Sequence, residues 1–161
     1  MSDKKIIERI KGQYAAVVID SHDFRDDQTV TVKKNCGGGF FKFLRDDPEL
    51  AFNFLMDITA VDYLAKKDER FEVVYHLYSL KHNHRLRVKI PVSAEDCSAD
   101  SITALWKTAN WYEREIWDMY GIKFRDHPNL RRILLYEEFK GHPLRKDYPI
   151  NKRQPLIGPL N

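Results

Sequence analysis

Apolar and polar positions alternate most clearly between Phe71 and Val92, in FEVVYHLYSLKHNHRLRVKIPV. Each half of this stretch places four apolar side chains on one face, and KHNH separates the halves. The first set is Phe71, Val73, Tyr75 and Leu77, and the second is Leu86, Val88, Ile90 and Val92. This period of two predicts a β-hairpin with one apolar face, which helices must cover.

Shorter patterns predict the rest of the sheet and three helical segments. AAVVID, TVTVKK and LMDITAVDYL are typical of strands, and SHDFRDDQ of the loop between the first two. KKIIERIKGQY predicts an N-terminal helix that Gly12 stops. After NCGGG, taken as a flexible turn, FFKFLRDD predicts one or two helical turns, and Pro48 begins a further helix, PELAFNFL.

The longest predicted helix runs from about Asp100 to Tyr120. Its apolar stripe consists of Ile102, Leu105, Ala109, Tyr112, Ile116 and Met119. Asp100 or Ser101 suits its N-cap, and Gly121 suits a left-handed C-cap before the extended piece GIKF.

The charges on this helix have a plain structural interpretation and a functional one. Arg114 and Asp118, four residues apart, are expected to pair on a solvated face. However, Trp106, Trp111 and Trp117 do not all fit the apolar stripe. Tryptophan beside charge is common at interfaces, so we expect a second buried face, against a partner or against the C-terminal residues.

Composition limits the class of protein. The 161 residues, 43% hydrophobic and 32% charged, suit one globular domain with a tail. No apolar run approaches the ~20 residues of a membrane span, and the start resembles no secretory signal, so we predict a cytoplasmic protein. Two cysteines outside any CxxC motif argue against an iron–sulfur cluster or a structural zinc site held by this chain alone.

Charge and proline divide the chain. Residues 1–120 carry 18 Lys and Arg against 20 Asp and Glu, whereas residues 121–161 carry 9 against 4 and five of the seven prolines. We therefore predict a globular domain over 1–124 and a basic C-terminal arm over 125–161. Regular periodicity fades in the arm, so we expect it to be disordered or ordered by a partner, and its apolar residues argue against simple disorder.

The cations of the arm come in pairs, Arg131 with Arg132 and Arg145 with Lys146. Nucleic acid would call for a stronger basic stripe, and anionic lipid for clusters of ~4–8 cations. An acidic protein surface fits best. His127 and His142 each precede a proline, and they either belong to turns or help to dock the arm.

The run WYEREIWDMYGIKFRDHPNLRRILLYEEFKGHPLRKDYP resembles the 30 kDa subunit family of NADH–quinone oxidoreductase, respiratory complex I. The family pattern is E-R-E-x-x-D, then D-M-[FY]-G-I-x-F, H-P-x-L-R-R-I-L and G-H-P-L-R-K-D-Y-P. Every element is present in order between Glu113 and Pro149. LMDITAVDY and the predicted hairpin resemble the sheet region of that family.

The resemblance implies an α+β fold, with a mixed β-sheet packed by helices on one face in two layers and an extended C-terminal arm. It implies a non-catalytic structural subunit of the quinone-reducing module, in the peripheral arm of a proton-translocating enzyme on the cytoplasmic face of the membrane. No cofactor is expected on this chain, with FMN, iron–sulfur clusters and quinone belonging to the assembled complex. The 49 kDa-type subunit is expected as the main neighbour, with subunits B and I nearby.

The motif and the charge pattern together predict a partner interface. Its expected residues are Glu113, Arg114, Glu115, Asp118, His127, Arg131, Arg132, His142, Arg145, Lys146 and Asp147. Asp147 is also expected to pair internally. Two alternatives stay open: a homologous subunit of a membrane-bound hydrogenase-type complex, and a free-standing basic binding module.

Overall fold

The computed structural model describes residues 3–155. In that range the helices are α1 (Asp3–Tyr14), α2 (Gly37–Asp46) and α3 (Ala109–Tyr120). The strands are β1 (Val18–Phe24), β2 (Asp27–Val32), β3 (Phe54–Asp62), β4 (Phe71–Ser79), β5 (His84–Val92), β6 (Ser98–Asp100) and β7 (Lys123–Arg125). None of the helices in this range is long and apolar enough to cross a membrane.

The main sheet is mixed. Its five strands lie in the order β1-β2-β5-β4-β3, and β2 pairs with β5 in parallel while the other neighbours are antiparallel. A second, two-stranded ladder joins β6 and β7 in parallel. The central position of β4 and β5 explains why their apolar face is fully covered, since each is flanked on both sides.

The predicted hairpin is confirmed as β4 and β5. Phe71 pairs with Val92, and the pairing continues through Tyr75 and Val88 to Leu77 and Leu86. These side chains are buried, as alternation requires when only one face is packed.

All three helices contribute to the same apolar core as this face. Ile6 and Ile10 of α1, Phe40 and Leu44 of α2, and Ile116 of α3 are buried there. The predicted two-layer α+β fold is therefore confirmed.

Two of the local predictions around α2 are wrong. The helix begins at Gly37, within the expected turn NCGGG, and PELAFNFL forms no helix. The Asp47 carboxylate accepts the Leu50 N–H (3.2 Å), and Ala51 adopts a left-handed φ of 46°. These contacts turn the chain sharply, so that Leu50 and Phe52 enter the core before β3 begins.

The long helix is shorter than predicted, and Asp100 and Ser101 do not cap it. Residues 98–100 pair with β7 instead, and the Ile102 N–H donates to the Glu113 carboxylate (2.8 Å). Strand pairing and this buried bond hold residues 98–108 outside the helix. The expected stop at Gly12 is also wrong, because α1 continues to Tyr14.

Gly121 is confirmed as the left-handed C-cap of α3, with φ 76°. We expect Gly121→Ala to lower the free energy of unfolding by about 1–2 kcal/mol from backbone strain alone. An added Cβ would also lie 2.6 Å from the His142 ring and 2.7 Å from an Arg145 nitrogen, which should displace the arm. Urea denaturation measures the loss.

Gly12→Ala is the matched control, since nothing lies within 4 Å of a Cβ there. In a helix that change should raise stability by up to about 1 kcal/mol. Equal, small effects of the two substitutions would contradict the assignment of strain to Gly121.

Candidate functional site

The carboxylate of Asp118 lies fully buried between α3 and the C-terminal arm. One oxygen, Oδ2, accepts three consecutive backbone N–H groups, from Ile133 (3.1 Å), Leu134 (2.9 Å) and Leu135 (3.0 Å). The other oxygen accepts a hydrogen bond from the Arg132 guanidinium. Successive N–H groups of this kind form a concave anion-binding nest, here filled by the chain's own side chain.

Burial is the largest single influence on the pKa of Asp118, and it acts upward. The N–H of Leu135, the Arg132 guanidinium and the other two N–H groups outweigh it, so the pKa lies below its ordinary value. A charge-assisted network of this kind is strong because its hydrogen bonds lie in a region with little water.

Arg132 is held from several sides. Its Nη2 donates to the carbonyls of Phe139 (2.6 Å) and Gly141 (3.1 Å), and its guanidinium lies 5.7 Å from the Trp117 ring and 5.6 Å from the Phe139 ring. Arg132 therefore closes the arm on itself as well as onto α3.

Arg114 does not pair with Asp118 as predicted. It donates to the backbone carbonyls of Arg131 (3.1 Å) and Arg132 (2.8 Å) and lies over the exposed ring of Trp111. The prediction failed because the arm brings Arg132 to the carboxylate, and tertiary contact replaced the pairing along the helix.

The arm also caps the C-terminus of α3, where helix carbonyls lack intrahelical partners. His142 Nδ1 bonds the Asp118 carbonyl (3.0 Å), the Leu144 N–H donates to the Met119 carbonyl (3.1 Å), and Arg145 donates to the Tyr120 carbonyl. Burial of the His142 ring lowers its pKa most, so the neutral imidazole is favoured. Docking of the arm by His142 is thus observed within the chain.

A second attachment lies at the end of the sheet. Arg70 donates to both oxygens of Asp62 (3.0 and 2.8 Å) and to Asp147 (2.9 Å), and the Lys146 N–H donates to Asp62 (2.9 Å). The predicted internal pairing of Asp147 is confirmed, with Arg70 as its partner. Asp62 and Arg70 were not predicted from the sequence, because no local pattern links a strand end to an arm far along the chain.

The remaining predicted residues divide by exposure. His127 bonds the Asn110 carbonyl (3.1 Å) and so fixes the start of the arm. The side chains of Glu115, Arg131 and Lys146 are exposed. Their contact with a partner stays a prediction, as does the division of the chain at 124/125; the described part of the arm, residues 125–155, packs on the domain.

Glu113 is fully buried on the opposite side of α3, towards the sheet. Its Oε1 accepts the Ile102 N–H (2.8 Å). Burial raises the pKa of Glu113 to about 7, against smaller lowering effects of the Ile102 N–H and the Ser101 hydroxyl. The two carboxylates of α3 are therefore held in opposite ways, Asp118 by charge and Glu113 by burial without a cation.

Within residues 3–155, no group of three His, Cys, Asp or Glu side chains is arranged to hold a metal ion. Residues 30–154 match the family described as the 30 Kd subunit of respiratory-chain NADH dehydrogenase. The chain belongs to this 30 Kd subunit family.

Relatives within the 30 Kd subunit family match almost end to end. The C subunit of the NADH-quinone oxidoreductase of Citrifermentans bemidjiense is 49% identical, covering 99% of this chain and 98% of the relative. The protein of the same name from Geobacter sulfurreducens is 43% identical over the same shares of both chains. These relatives are named as subunits of an oxidoreductase complex.

Solved structures show the same fold. A trypsin-resistant fragment of Nqo5 superposes with a TM-score of 0.69 at 31% identity, covering 81% of this chain and 100% of the fragment. A chain of the membrane-bound sulfane sulfur reductase, an archaeal respiratory membrane complex, superposes with a TM-score of 0.77 at 19% identity, covering 94% of this chain and 88% of its own. At that identity the second likeness concerns the fold alone.

The Asp118 network makes a direct prediction for this 30 Kd subunit family member. Asp118→Asn leaves the buried Arg132 charge without its carboxylate and should lower the free energy of unfolding by about 3–5 kcal/mol. Hydrogen exchange of the amides of Ile133, Leu134 and Leu135 should accelerate. Chemical denaturation and exchange mass spectrometry measure both effects.

Glu115→Gln, on the exposed side of the same helix, should change stability by less than about 0.5 kcal/mol. Because the folded pKa of Asp118 is depressed, its stabilisation is present above about pH 4 and is lost as the pH falls towards the folded value. Protected amides at 133–135 in Asp118→Asn would contradict the network.

Proposed function

We propose that the chain is a non-catalytic structural subunit of the quinone-reducing module, in the peripheral arm of a proton-translocating NADH:quinone oxidoreductase. The observation that supports this most is the preformed outer surface of α3 and the arm. The arm is held by bonds within the chain, so its outward side chains are positioned before any partner binds. Preorganisation of this kind lowers the entropic cost of association.

The outward side of this docking surface, formed by α3 and residues 125–155, carries several exposed apolar side chains. Trp111 is 62% exposed, Leu134 61% and Leu144 52%. Arg114 contacts both the Trp111 ring and the backbone at 131–132, which places the helix part and the arm part side by side. Exposed tryptophan and leucine on an ordered surface are typical of protein contacts.

Exposed cations border the same surface. The side chains of Arg131, Lys140 and Lys146 extend into solvent, and the salt bridges found among residues 3–155 do not include them. Arg132 and Arg145, by contrast, are used inside the chain. We infer that an acidic partner surface pairs with the first group, and we propose the 49 kDa-type subunit as that partner, with subunits B and I nearby.

The chemistry of the complex belongs to other chains in this proposal. NADH oxidation at FMN, electron relay through iron–sulfur clusters and quinone reduction need no group of this chain, which supplies position and rigidity. The carboxylates of α3 support this assignment, since Asp118 bonds the arm and Glu113 faces the core rather than an open cavity. We propose that partner subunits hold the chain on the cytoplasmic face of the membrane.

A related complex is the second candidate. The fold shared with a chain of the sulfane sulfur reductase makes a subunit of another donor-linked membrane complex a reasonable alternative. A free-standing basic module has less support, because two of the four paired arm cations are committed to contacts within the chain.

The test is the double variant Arg131→Glu and Lys146→Glu. Both side chains are exposed, so the domain should keep its circular dichroism spectrum, and its free energy of unfolding should stay within about 0.5 kcal/mol. Assembly into the complex should fall at least tenfold, because close like charges across an interface are costly. Native gel electrophoresis of membranes with an antibody to the 49 kDa-type subunit measures assembly.

Lys81→Glu with Lys107→Glu is the matched control, since both lysines are exposed outside the docking surface and the net charge changes equally. Normal assembly of the Arg131/Lys146 variant would overturn the docking surface. Recovery of the chain in a complex that lacks NADH-oxidising subunits would favour the second candidate.

A further inference from the structure

Three buried polar atoms lie in the core between α3 and the sheet without a protein partner in the described part of the chain. They are Glu113 Oε2, the Tyr75 hydroxyl and Trp106 Nε1. Buried polar atoms are almost always hydrogen-bonded, to protein or to ordered water. Three such atoms in one region indicate a shared partner that is not a protein group.

Their side chains belong to one cluster. The Phe41 ring lies 4.8 Å from the Tyr75 ring and 6.3 Å from the Trp106 ring. Glu113 bonds Ile102, whose carbonyl accepts the Trp106 backbone N–H (3.1 Å). The charge of Glu113 also acts on Tyr75, since it raises the pKa of the phenol after burial, the larger cause.

A small enclosed cavity lies among the same residues. Its volume is about 10 Å³, and it is lined by Lys34, Cys36, Gly38, Phe41, Ile90, Asp100, Ser101 and Ile102. Phe41 contacts Tyr75 and Trp106, and Ile102 contacts Glu113. This volume is close to the least that one water molecule needs, and the surroundings offer the polar partners that such a water requires.

No cation neutralises Glu113 from the elements packed around it in residues 3–155. Lys34 pairs with Asp96, and Arg114 donates to the arm on the other side of the helix. Asp100, facing the cluster from β6, pairs with Arg125.

The remaining titratable neighbours are uncharged near neutral pH. Burial raises the pKa of the Cys36 thiol to about 12, and burial likewise keeps the Tyr75 phenol protonated. The field at the carboxyl of Glu113 therefore comes from burial and from acids, both of which favour its neutral form.

We propose that Glu113 binds a proton in the folded chain and, through one bound water, is hydrogen-bonded to Tyr75 and Trp106. This internal polar site fixes the core side of α3, and loss of its proton leaves an unpaired charge there. The helix whose other side carries Asp118 and Arg114 is then held less firmly. The site is independent of any partner and of the proposed membership in a complex.

The pH dependence follows from the direction of the shift. The pKa of Glu113 rises from 4.5 to about 7 on folding. Stability from this group is present in full below about pH 4.5 and is lost as the pH rises to about 7. Glu113→Gln mimics the protonated carboxyl and should remove this loss.

The experiment measures urea denaturation of the full chain from pH 4.5 to 8.5, for wild type, Glu113→Gln and Glu115→Gln. Relative to Glu113→Gln, the folding equilibrium constant of the wild type should fall on the order of 100-fold across this range. Glu115→Gln, two residues away and exposed, should follow the wild type. Parallel curves for wild type and Glu113→Gln would overturn the proposal.

Infrared spectroscopy provides a readout that does not depend on stability. At pH 6 the wild type and Glu115→Gln should show a protonated-carboxyl band that Glu113→Gln lacks. A crystal structure of the wild type should show a water within hydrogen-bonding distance of Glu113 Oε2. Absence of the band, or a dry site with Glu113 ionised at pH 6, would refute the site even if Glu113→Gln failed to fold.

Discussion

The attachment of the arm depends on one buried carboxylate. Asp118 gathers three backbone N–H groups and a guanidinium from a segment that has no helix or strand in its described range. An irregular segment cannot satisfy its own backbone, so its order must come from groups outside it. Asp118 supplies the acceptors for the first part, the open carbonyls of α3 supply them for the middle, and Asp62 supplies them for Lys146. The arm is thus ordered by the domain to which it belongs.

Helix α3 is unusual in burying charge on two sides. A short amphipathic helix ordinarily turns its charges to water and its apolar stripe to the core. Here Ile116 faces the core beside Glu113, while Asp118 and Arg114 face the arm. Glu115 and Trp111 are left for solvent or for a partner. The helix therefore joins two layers, and the exposed docking surface lies over a fully bonded interior.

Part of the candidate site could be predicted from the sequence. The motif located Glu113, Asp118, Arg132 and Arg145 in one region, and the misfit of the tryptophans indicated a second buried face. The bonding partner of each charged side chain could not be predicted. Pairing of Arg114 with Asp118 is the natural expectation from helical spacing, yet a competing arginine from the arm replaced it. Contacts between residues far apart in sequence leave no local pattern, and Arg70 with Asp62 and Asp147 illustrates the same limit.

By itself the sequence determined the β4–β5 hairpin, the left-handed cap at Gly121 and the family, because alternation, a positive-φ glycine and a long motif are all local properties. The tertiary structure alone decided where the long helix starts, since the pairing of β6 with β7 and the bond of Ile102 to Glu113 override helical propensity there. It also decided that the charges of α3 are buried within the chain. Burial is a property of the assembled layers, and a charge run reads the same in sequence whether water or a folded arm covers it.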